Sequence, residues 1–431
     1  MQVNGVRDAR VWARMLGLQK AVVERVEFDE EQNLLVASVR PARGHRRRCG
    51  LCGRRSPGYD QGSGRRRWRA LDLGTIIAYV EADAPRVSCP EHGIVVAGVP
   101  WARHHAGHTL GFDQTVAWLA TTCSKAAVTQ LMRIAWRTVG AIVARVWADT
   151  AQHTDLLNGL TRIGIDEISY RKGHKFLTVI VDHDTGRLVW AAPGADATTL
   201  TEFFTQLGPD RCARITHVTS DAAAWIRQAV TTHCPQAIRC ADPFHIVAWA
   251  TKALDEQRRT TWNQIRKAAQ GTRPANPNDR PKGAVKTLKN ARWALWKNPD
   301  TLTEGQREQL DWIAKTQPAL YRAWALKEGL RTVFTIARRD PDEAIEALDK
   351  WISWARRSRL TPFTTLARSI THHREPIIAA ITHRLSNALI ESTNTKIRLI
   401  IRRGFGFHSP EPIIALAMLH LGGHRPTLPN R

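Results

Sequence analysis

The sequence predicts an α/β fold in which a mixed sheet is interrupted by an all-helical insertion and preceded by a cysteine-and-histidine module and a helix-turn-helix. Three observations carry this. Residues 160–250 hold strand-like runs joined by hairpin turns, then strand and helix patterns in alternation. From Pro243 to about Ile381 the pattern is almost wholly helical and rich in tryptophan. Near the amino terminus two pairs of metal-ligand residues, each with a two-residue gap, stand in a basic region. The expected domains are a zinc-binding module over 1–105, a helix-turn-helix over 106–155, the first part of the sheet domain over 156–250, the helical insertion over 251–384, and the sheet domain's final part over 385–431.

Bulk properties narrow the function. The chain has 431 residues, enough for more than one core. Lys and Arg number 63 against 39 Asp and Glu, a net charge of +24. Such a charge favours a polyanionic partner, most simply nucleic acid. At 43% hydrophobic the chain is no disordered basic tail. The start has no secretory pattern, and no apolar run approaches the ~20 residues that span a bilayer. Seven cysteines without such a signal fit a reducing compartment. The expectation is a cytoplasmic, nucleoid-associated protein with no membrane partner.

The first elements are short strands, Val22–Phe28 and Leu34–Val39. Cys49 and Cys52 then have the spacing of a zinc knuckle, two thiolates on one tight turn. Cys89 and His92 repeat that spacing and complete a Cys3His set for one structural Zn2+. A redox pair or plain buried cysteines is the alternative, and His45, His104, His105 and His108 compete as ligands. Ten arginines lie between Arg43 and Arg69 with only Asp60 opposing them. Arg46, Arg47, Arg48, Arg65, Arg66 and Arg67 suit phosphate contacts.

From Asp113 to Trp147 the pattern is helical, with Ser124 as cap of a short second helix. Ala127, Leu131, Val139 and Ile142 supply the apolar positions of a helix-turn-helix. Trp136, Arg137 and Gly140 then face a DNA groove. Three core helices with no DNA contact is the alternative.

The sheet domain opens with Thr161–Ile168, a strand ending in acids, followed by strands over Lys175–Val181 and Gly186–Ala192. A helix from Thr198 to Leu207, a strand from Ile215 to Asp221, a helix from Ala222 to Thr232 and a strand from Ala237 to Ala241 follow. Three hairpin strands and then strand-helix-strand-helix describe a sheet of ribonuclease-H type. Adjacent first and fourth strands bring Asp166 and Asp221 together. Most insertion tryptophans fill a helical core, and an exposed minority could stack on bases. Gly271–Gly283 reads as a polar loop. After the insertion, Leu385–Arg398 reads as a helix capped by Ser386. Ile390, Ile397 and Ile401 mark one face; Asn387, Glu391, Asn394 and Arg398 share the other. That polar face is either ordinary solvated surface or a site. Two Mg2+ ions (or Mn2+) held by a few carboxylates can drive displacement at phosphorus, and Asp166, Asp221 and Glu391 form such a set.

Gly164-Ile165-Asp166-Glu167, Ser220-Asp221, Asp242-Pro243-Phe244-His245 and Ser386–Asn394 resemble the DDE transposases of the ISL-three family of bacterial insertion sequences. The resemblance spans nearly the whole chain. It implies a ribonuclease-H-like fold, with Asp166, Asp221 and Glu391 as metal-binding catalytic acids and the pair Asp242 and His245 in support. Asn387 and Asn394 stand beside Glu391 as further supporting residues. The implied function is binding of terminal inverted repeats, strand cleavage and strand transfer into target double-stranded DNA, by a homodimer or larger assembly on DNA. A DNA-binding regulator with an inactive acid set, or a structure-selective nuclease, remains open from the residues alone.

Overall fold

A computed structural model describes residues 6–221, 223–271, 288, 291–404, 407 and 409–429. The chain divides into two compact units, Met1–Asp155 with Ile397–Arg431, and Leu156–Lys396.

The first unit begins with helix α1 (Val6–Met15) and strands β1 (Ala21–Asp29), β2 (Leu34–Pro41), β3 (Gly58–Asp60), β4 (Arg65–Arg69), β5 (Ile77–Asp83), β6 (Arg86–Cys89) and β7 (Gly93–Val96). They form a four-stranded sheet in the order β1-β2-β5-β4 and a three-stranded sheet in the order β3-β6-β7. Alternate residues Val23, Val39, Trp68 and Val80 bury one side of the larger sheet, with Trp101 edge-on to Trp68. Helices α2 (Leu110–Thr122), α3 (Lys125–Met132) and α4 (Trp136–Gln152) follow. Ser124 caps α3 as its type predicts, accepting from the Ala127 amide at 3.2 Å. Arg133, at φ 52°, makes the left-handed turn that ends it.

The buried positions differ from those the sequence indicates. Val128 and Met132 face inward with Val139 and Ile142, whereas Ala127 points out and Leu131 is 64% exposed. A one-residue rotation of the apolar stripe separates the two readings. The centre of this helical group is polar. Asp113, wholly buried, accepts from Arg145 at 2.9 and 3.0 Å and from Arg103 at 3.2 Å. Asp113→Ala strands the partly buried Arg145 guanidinium and leaves Arg103 only its pair with Asp149, and should cost roughly 3–5 kcal/mol. Urea denaturation of the full chain measures this; a loss under about 1 kcal/mol would show that the arginines find other partners. The carboxy-terminal helix Glu411–Leu421 packs on α2 and α4 through an apolar surface that includes Ile413, Leu416 and Leu419. The segment expected to finish the sheet domain therefore splits, and Ile397–Arg431 sits with the helix-turn-helix.

The second unit holds β8 (Arg162–Arg171), β9 (Lys175–Asp182), β10 (Leu188–Pro193), β11 (His217–Ser220) and β12 (Ile238–Ala241), in the order β10-β9-β8-β11-β12. The first three strands are antiparallel and the last two pairings parallel. This is the expected ribonuclease-H-like sheet. Helices α5 (Ala197–Leu207), α6 (Pro209–Cys212) and α7 (Ala224–His233) follow the chain order. Ile163, Ile165, Ile180 and Val218 pack with Phe203, Phe204 and Ile226 of α5 and α7. Two local expectations change. Asp196, not the Thr198 region, caps α5, accepting from the Thr199 amide at 2.8 Å. Strand β8 runs on to Arg171 instead of ending at its acids, because β9 continues to pair with it past them.

The insertion starts with α8 (Pro243–Gly271) and buries Leu254, Leu320, Leu330, Leu348, Phe363 and Ile370 in one core. Trp351 is 3% exposed and donates to the Leu326 carbonyl at 2.7 Å, while Trp293 and Trp354 lie at the surface. The expected loop falls at 272–283, outside the described residues. The chain then enters the helix Ala388–Arg403. No described helix is long and apolar enough to cross a membrane.

Candidate active site

Strand register aligns the acids. Gly164 on β8 pairs with Thr219 on β11, and Thr219 with Cys240 on β12. Two positions further on stand Asp166, within β8, and Asp221 and Asp242, each one residue past the end of its strand. Side chains two apart share a face, so the three carboxylates form one row across adjacent strands. This face is opposite the one that packs on α5 and α7. It is covered by the Glu391 helix, whose Ile390 sits over Gly164. A Cβ at Gly164 would lie 2.9 Å from Ile390 Cγ1 and from His183 Nε2, and nearer still to Ile390 Cδ1. Ile390 is fully buried and cannot swing away. Gly164→Ala should therefore push the Glu391 helix off the sheet, costing about 1–3 kcal/mol and removing DNA cleavage. Full cleavage by this variant would mean that the helix has room to adjust.

Asp166 is fixed on both oxygens. Asn394 Nδ2 donates to its Oδ2 at 2.7 Å, and the Glu167 amide donates to its Oδ1 at 2.8 Å. Burial pushes the Asp166 carboxyl above its ordinary range; the Glu167 amide and His245 pull it back, while Asp221 and Asp242 raise it further. Burial likewise raises Glu391, with Asp242 and Asp166 adding to the shift and His245 opposing it. The polar face of the Glu391 helix is not solvated surface. Asn387 is fully buried and Asn394 is 2% exposed. Both amide atoms of Asn387, Oδ1 of Asn394 and Oε1 of Glu391 are buried with no hydrogen-bond partner. Orphaned polar atoms on one helix face, beside a row of carboxylates, fit a site built for a cation and its water. The helix starts at Ala388, and the Asn387 carbonyl accepts from the Glu391 amide at 2.8 Å, so Ser386 is not the cap residue.

Asp242 does two jobs. Its Oδ1 accepts from the Phe244 amide at 3.2 Å at the start of α8, and its Oδ2 pairs with His245 Nδ1 at 2.7 Å. The hydrogen bond to Asp242 raises His245 against its burial, and Asp166 and Asp221 raise it further. His245 is thereby biased toward its protonated form beside these carboxylates. Asp221 is half-exposed, and its Oδ1 accepts from the Ala223 amide at 2.9 Å. Glu167, on the other face by strand parity, hydrogen-bonds Trp225; burial, Asp221 and Asp166 raise its carboxyl. The sequence reading ranked Asp242 as support. Its place in the carboxylate row was readable from two equal runs, one ending Ser220-Asp221 and the other Ala241-Asp242. The three acids singled out share one electrostatic neighbourhood, although their oxygens do not close to a common 4.8 Å set.

Among the described residues, the set that does close to 4.8 Å is Cys49, Cys52, Cys89 and His92. Cys52 and Cys89 sulfurs are 3.7 Å apart, and His92 Nδ1 is 3.6 Å from Cys89 Sγ and 3.9 Å from Cys49 Sγ. Tetrahedral Zn–S bonds of about 2.3 Å place ligands about 3.7 Å apart, so the cluster has the size of a metal site. Burial pushes the Cys89 thiol up, but the hydrogen bonds of His92 and the Glu91 and His92 amides outweigh it and bring it to about 6. None of the competing histidines belongs to that set; His104 packs against Gly50, and His108 stacks on Phe112.

The arginine cluster is less free than its sequence implies. Arg65 and Arg67 both bind Glu81, which β5 brings opposite them, at 2.7 and 2.6 Å. Arg66 donates to the Ala106 carbonyl and Arg48 to the Gly53 and Gly44 carbonyls. Asp60 pairs with Arg86. Arg46 donates through Nε to the Pro41 carbonyl at 3.2 Å and, like Arg47, is exposed. On α4, Arg137 is exposed, and Trp136 carries the Lys125 ammonium 4.6 Å from its ring centroid.

Comparison with known proteins matches three parts of the chain. Residues 163–417 match a family model described as transposase, of the ISL3 type. Residues 99–147 match the helix-turn-helix domain of transposase family ISL3, and 45–92 the zinc-finger of transposases IS204/IS1001/IS1096/IS1165. The transposase for insertion sequence element IS1557 from two strains of Mycobacterium tuberculosis is 57% identical over 439 aligned positions, covering 99% of this chain and 98% of that protein. The transposase for IS1001 from Bordetella parapertussis is 26% identical, covering 94% of this chain and 96% of that protein.

Proposed function

The chain belongs to the ISL3 family of DDE transposases, and on that premise we propose that Asp166, Asp221 and Glu391 are the acids that carry its chemistry on DNA. A DNA transposase acting by a DDE-type mechanism needs carboxylates that converge on the phosphate being cut. The observation that carries the assignment is the carboxylate row Asp166-Asp221-Asp242 under a helix that presents Glu391 with an unpartnered buried oxygen.

The chain's own residues divide the work. Asn394 and the Glu167 amide orient Asp166. Asp242 accepts from His245 Nδ1 and favours its protonated form, which would moderate the repulsion among the acids. Asn387 offers an amide with no internal partner. Two Mg2+ or Mn2+ ions held by Asp166, Asp221 and Glu391 would polarise the phosphate and activate the attacking oxygen. The zinc module, holding one Zn2+ on Cys49, Cys52, Cys89 and His92, and the helix-turn-helix would bind the terminal inverted repeats. Arg46, Arg47, Arg48, Arg65, Arg66 and Arg67 are assigned to phosphates, Arg137 and Trp136 to the groove. Moving an element requires both of its ends, so at least two copies would assemble on DNA.

The test is incubation of the purified protein with duplexes carrying the flanking inverted repeats, with and without Mg2+. Metal-dependent cleavage and joining of a 3′-hydroxyl end to a second duplex are expected. End binding without cleavage would leave a regulator, and cleavage without joining a nuclease.

A further inference from the structure

The cleft in front of Glu391 has lining residues that the acid set does not explain. Its volume is about 620 Å³. Asp242, Phe244 and Glu391 line it, and so do Arg331, Thr335 and Arg338 from the insertion. Arg331 and Thr335 lie on the last turns of the insertion helix Pro318–Ile336, and Arg338 in the turn beyond it. Spacings of four and three put them on one side of the chain. We propose that Arg331 and Arg338 form a phosphate grip: they hold a phosphodiester of the DNA end in the cleft, beside the acids. This rests on the assignment of Asp242 and Glu391 to the catalytic cleft.

Arg331 is braced from behind. Its Nε donates to Glu328 at 2.7 Å, and Glu328 also pairs with Lys327, which is 3% exposed and donates to the Leu295 carbonyl at 2.8 Å. That network fixes the guanidinium and leaves its two terminal nitrogens free to grip an anion. Arg338 is exposed and makes no ion pair among the described residues. Neither arginine comes within 4.0 Å of the Asp242 or Glu391 carboxylate, although charges of both signs line the same space. Glu391 keeps an oxygen with no partner. A free carboxylate oxygen on Glu391 and free guanidinium nitrogens on Arg331 and Arg338, lining one cleft, fit a ligand that joins them. A phosphodiester does so, meeting arginine directly and the acids through cations. Acids alone would repel it. The insertion would thus supply substrate contacts as well as spacing between Asp242 and Glu391.

The test uses the full chain and a duplex transposon end in which single phosphates near the cut are replaced by uncharged methylphosphonate. Wild type, Arg331→Ala, Arg338→Ala and Arg338→Lys are compared for end binding and for cleavage at saturating DNA. Loss of one gripped phosphate should slow cleavage roughly tenfold or more while total end binding falls only a few-fold, because a charge-assisted contact of about 1.5–3 kcal/mol is lost at the reacting phosphate alone. Arg338→Lys should recover part of the loss. At one phosphate, the methylphosphonate should weaken wild-type binding and have no further effect on Arg338→Ala. A packing role would not produce that coupling. Additive penalties at every phosphate, or wild-type cleavage by both alanine variants, would overturn the grip. If wild type binds ends but never cleaves them, the catalytic assignment fails on its own, and the binding coupling still decides the arginine contact.

Discussion

Asp166→Asn, Asp221→Asn and Glu391→Gln should each abolish metal-dependent cleavage of the transposon end, by about three orders of magnitude or more, while end binding holds or tightens. Each change removes one negative charge and keeps nearly the same shape. Cleavage falls because a ligand oxygen of the metal site is lost at the reacting phosphate, where preorganised charge carries most of the rate. Binding holds because the acids repel the DNA backbone. Asp166→Asn and Glu391→Gln should also stabilise the metal-free protein. The folded-state pKa values of Asp166 and Glu391 lie above their unfolded ones. Their contribution therefore favours the fold below the unfolded carboxylate pKa and is lost as pH rises through the raised value. At neutral pH Asp166→Asn and Glu391→Gln escape that penalty, so their thermal midpoints in chelator should exceed that of wild type. Adding Mg2+ should raise the wild-type midpoint and leave the variants nearly unmoved. Glu167→Gln is the control, since Glu167 faces Trp225 across the sheet. Normal cleavage by Glu391→Gln would remove Glu391 from the catalytic set.

Much of this site was readable from the chain because it depends on order and parity. The strand runs that carry Asp166 and lead to Asp221 were visible as β-branched segments, and the hairpin followed by a parallel crossover fixed which strands are neighbours. The spacing of Asn387, Glu391 and Asn394 gave one helix face. What the chain could not show was where that face goes. An amphipathic pattern reads the same whether its polar side meets water or a row of buried acids, and here Asn387 and Asn394 are buried. The internal pairing of the arginine cluster was hidden for a related reason. Glu81 lies outside the cluster in sequence and reaches Arg65 and Arg67 only through β4–β5 pairing. Leu131 turned outward because the pattern in α3 supports two nearly equal stripes, and the contact with α4 selects Val128 and Met132. Arg331 and Arg338 carried no local signal at all, since only the packing of the insertion brings them to the cleft.

Removing the zinc should have the largest effect on the first unit. Cys49 and Cys89 are nearly fully buried, and the ligands come from a turn before β3 and from the β6–β7 hairpin. A three-stranded sheet of three- and four-residue strands has little apolar area of its own. A metal bound by the four ligands would hold these pieces together, and structural Zn2+ contributes about 10–16 kcal/mol of apparent binding energy in small modules. Cys49→Ser leaves three ligands and a buried hydroxyl, so the knuckle should open and the small sheet should lose order. End binding should fall by a hundredfold or more, as the basic segments over 46–48 and 54–55 are no longer held against the sheet. The second unit draws its core from other residues, so its folding and its metal-dependent stabilisation should survive. Elemental analysis of the purified chain should find one zinc, and a strong chelator should reproduce the Cys49→Ser binding defect. Cys123→Ser, which removes a thiol outside the cluster, should change neither. A folded, end-binding protein that contains no zinc would show that the four side chains are packed for another reason.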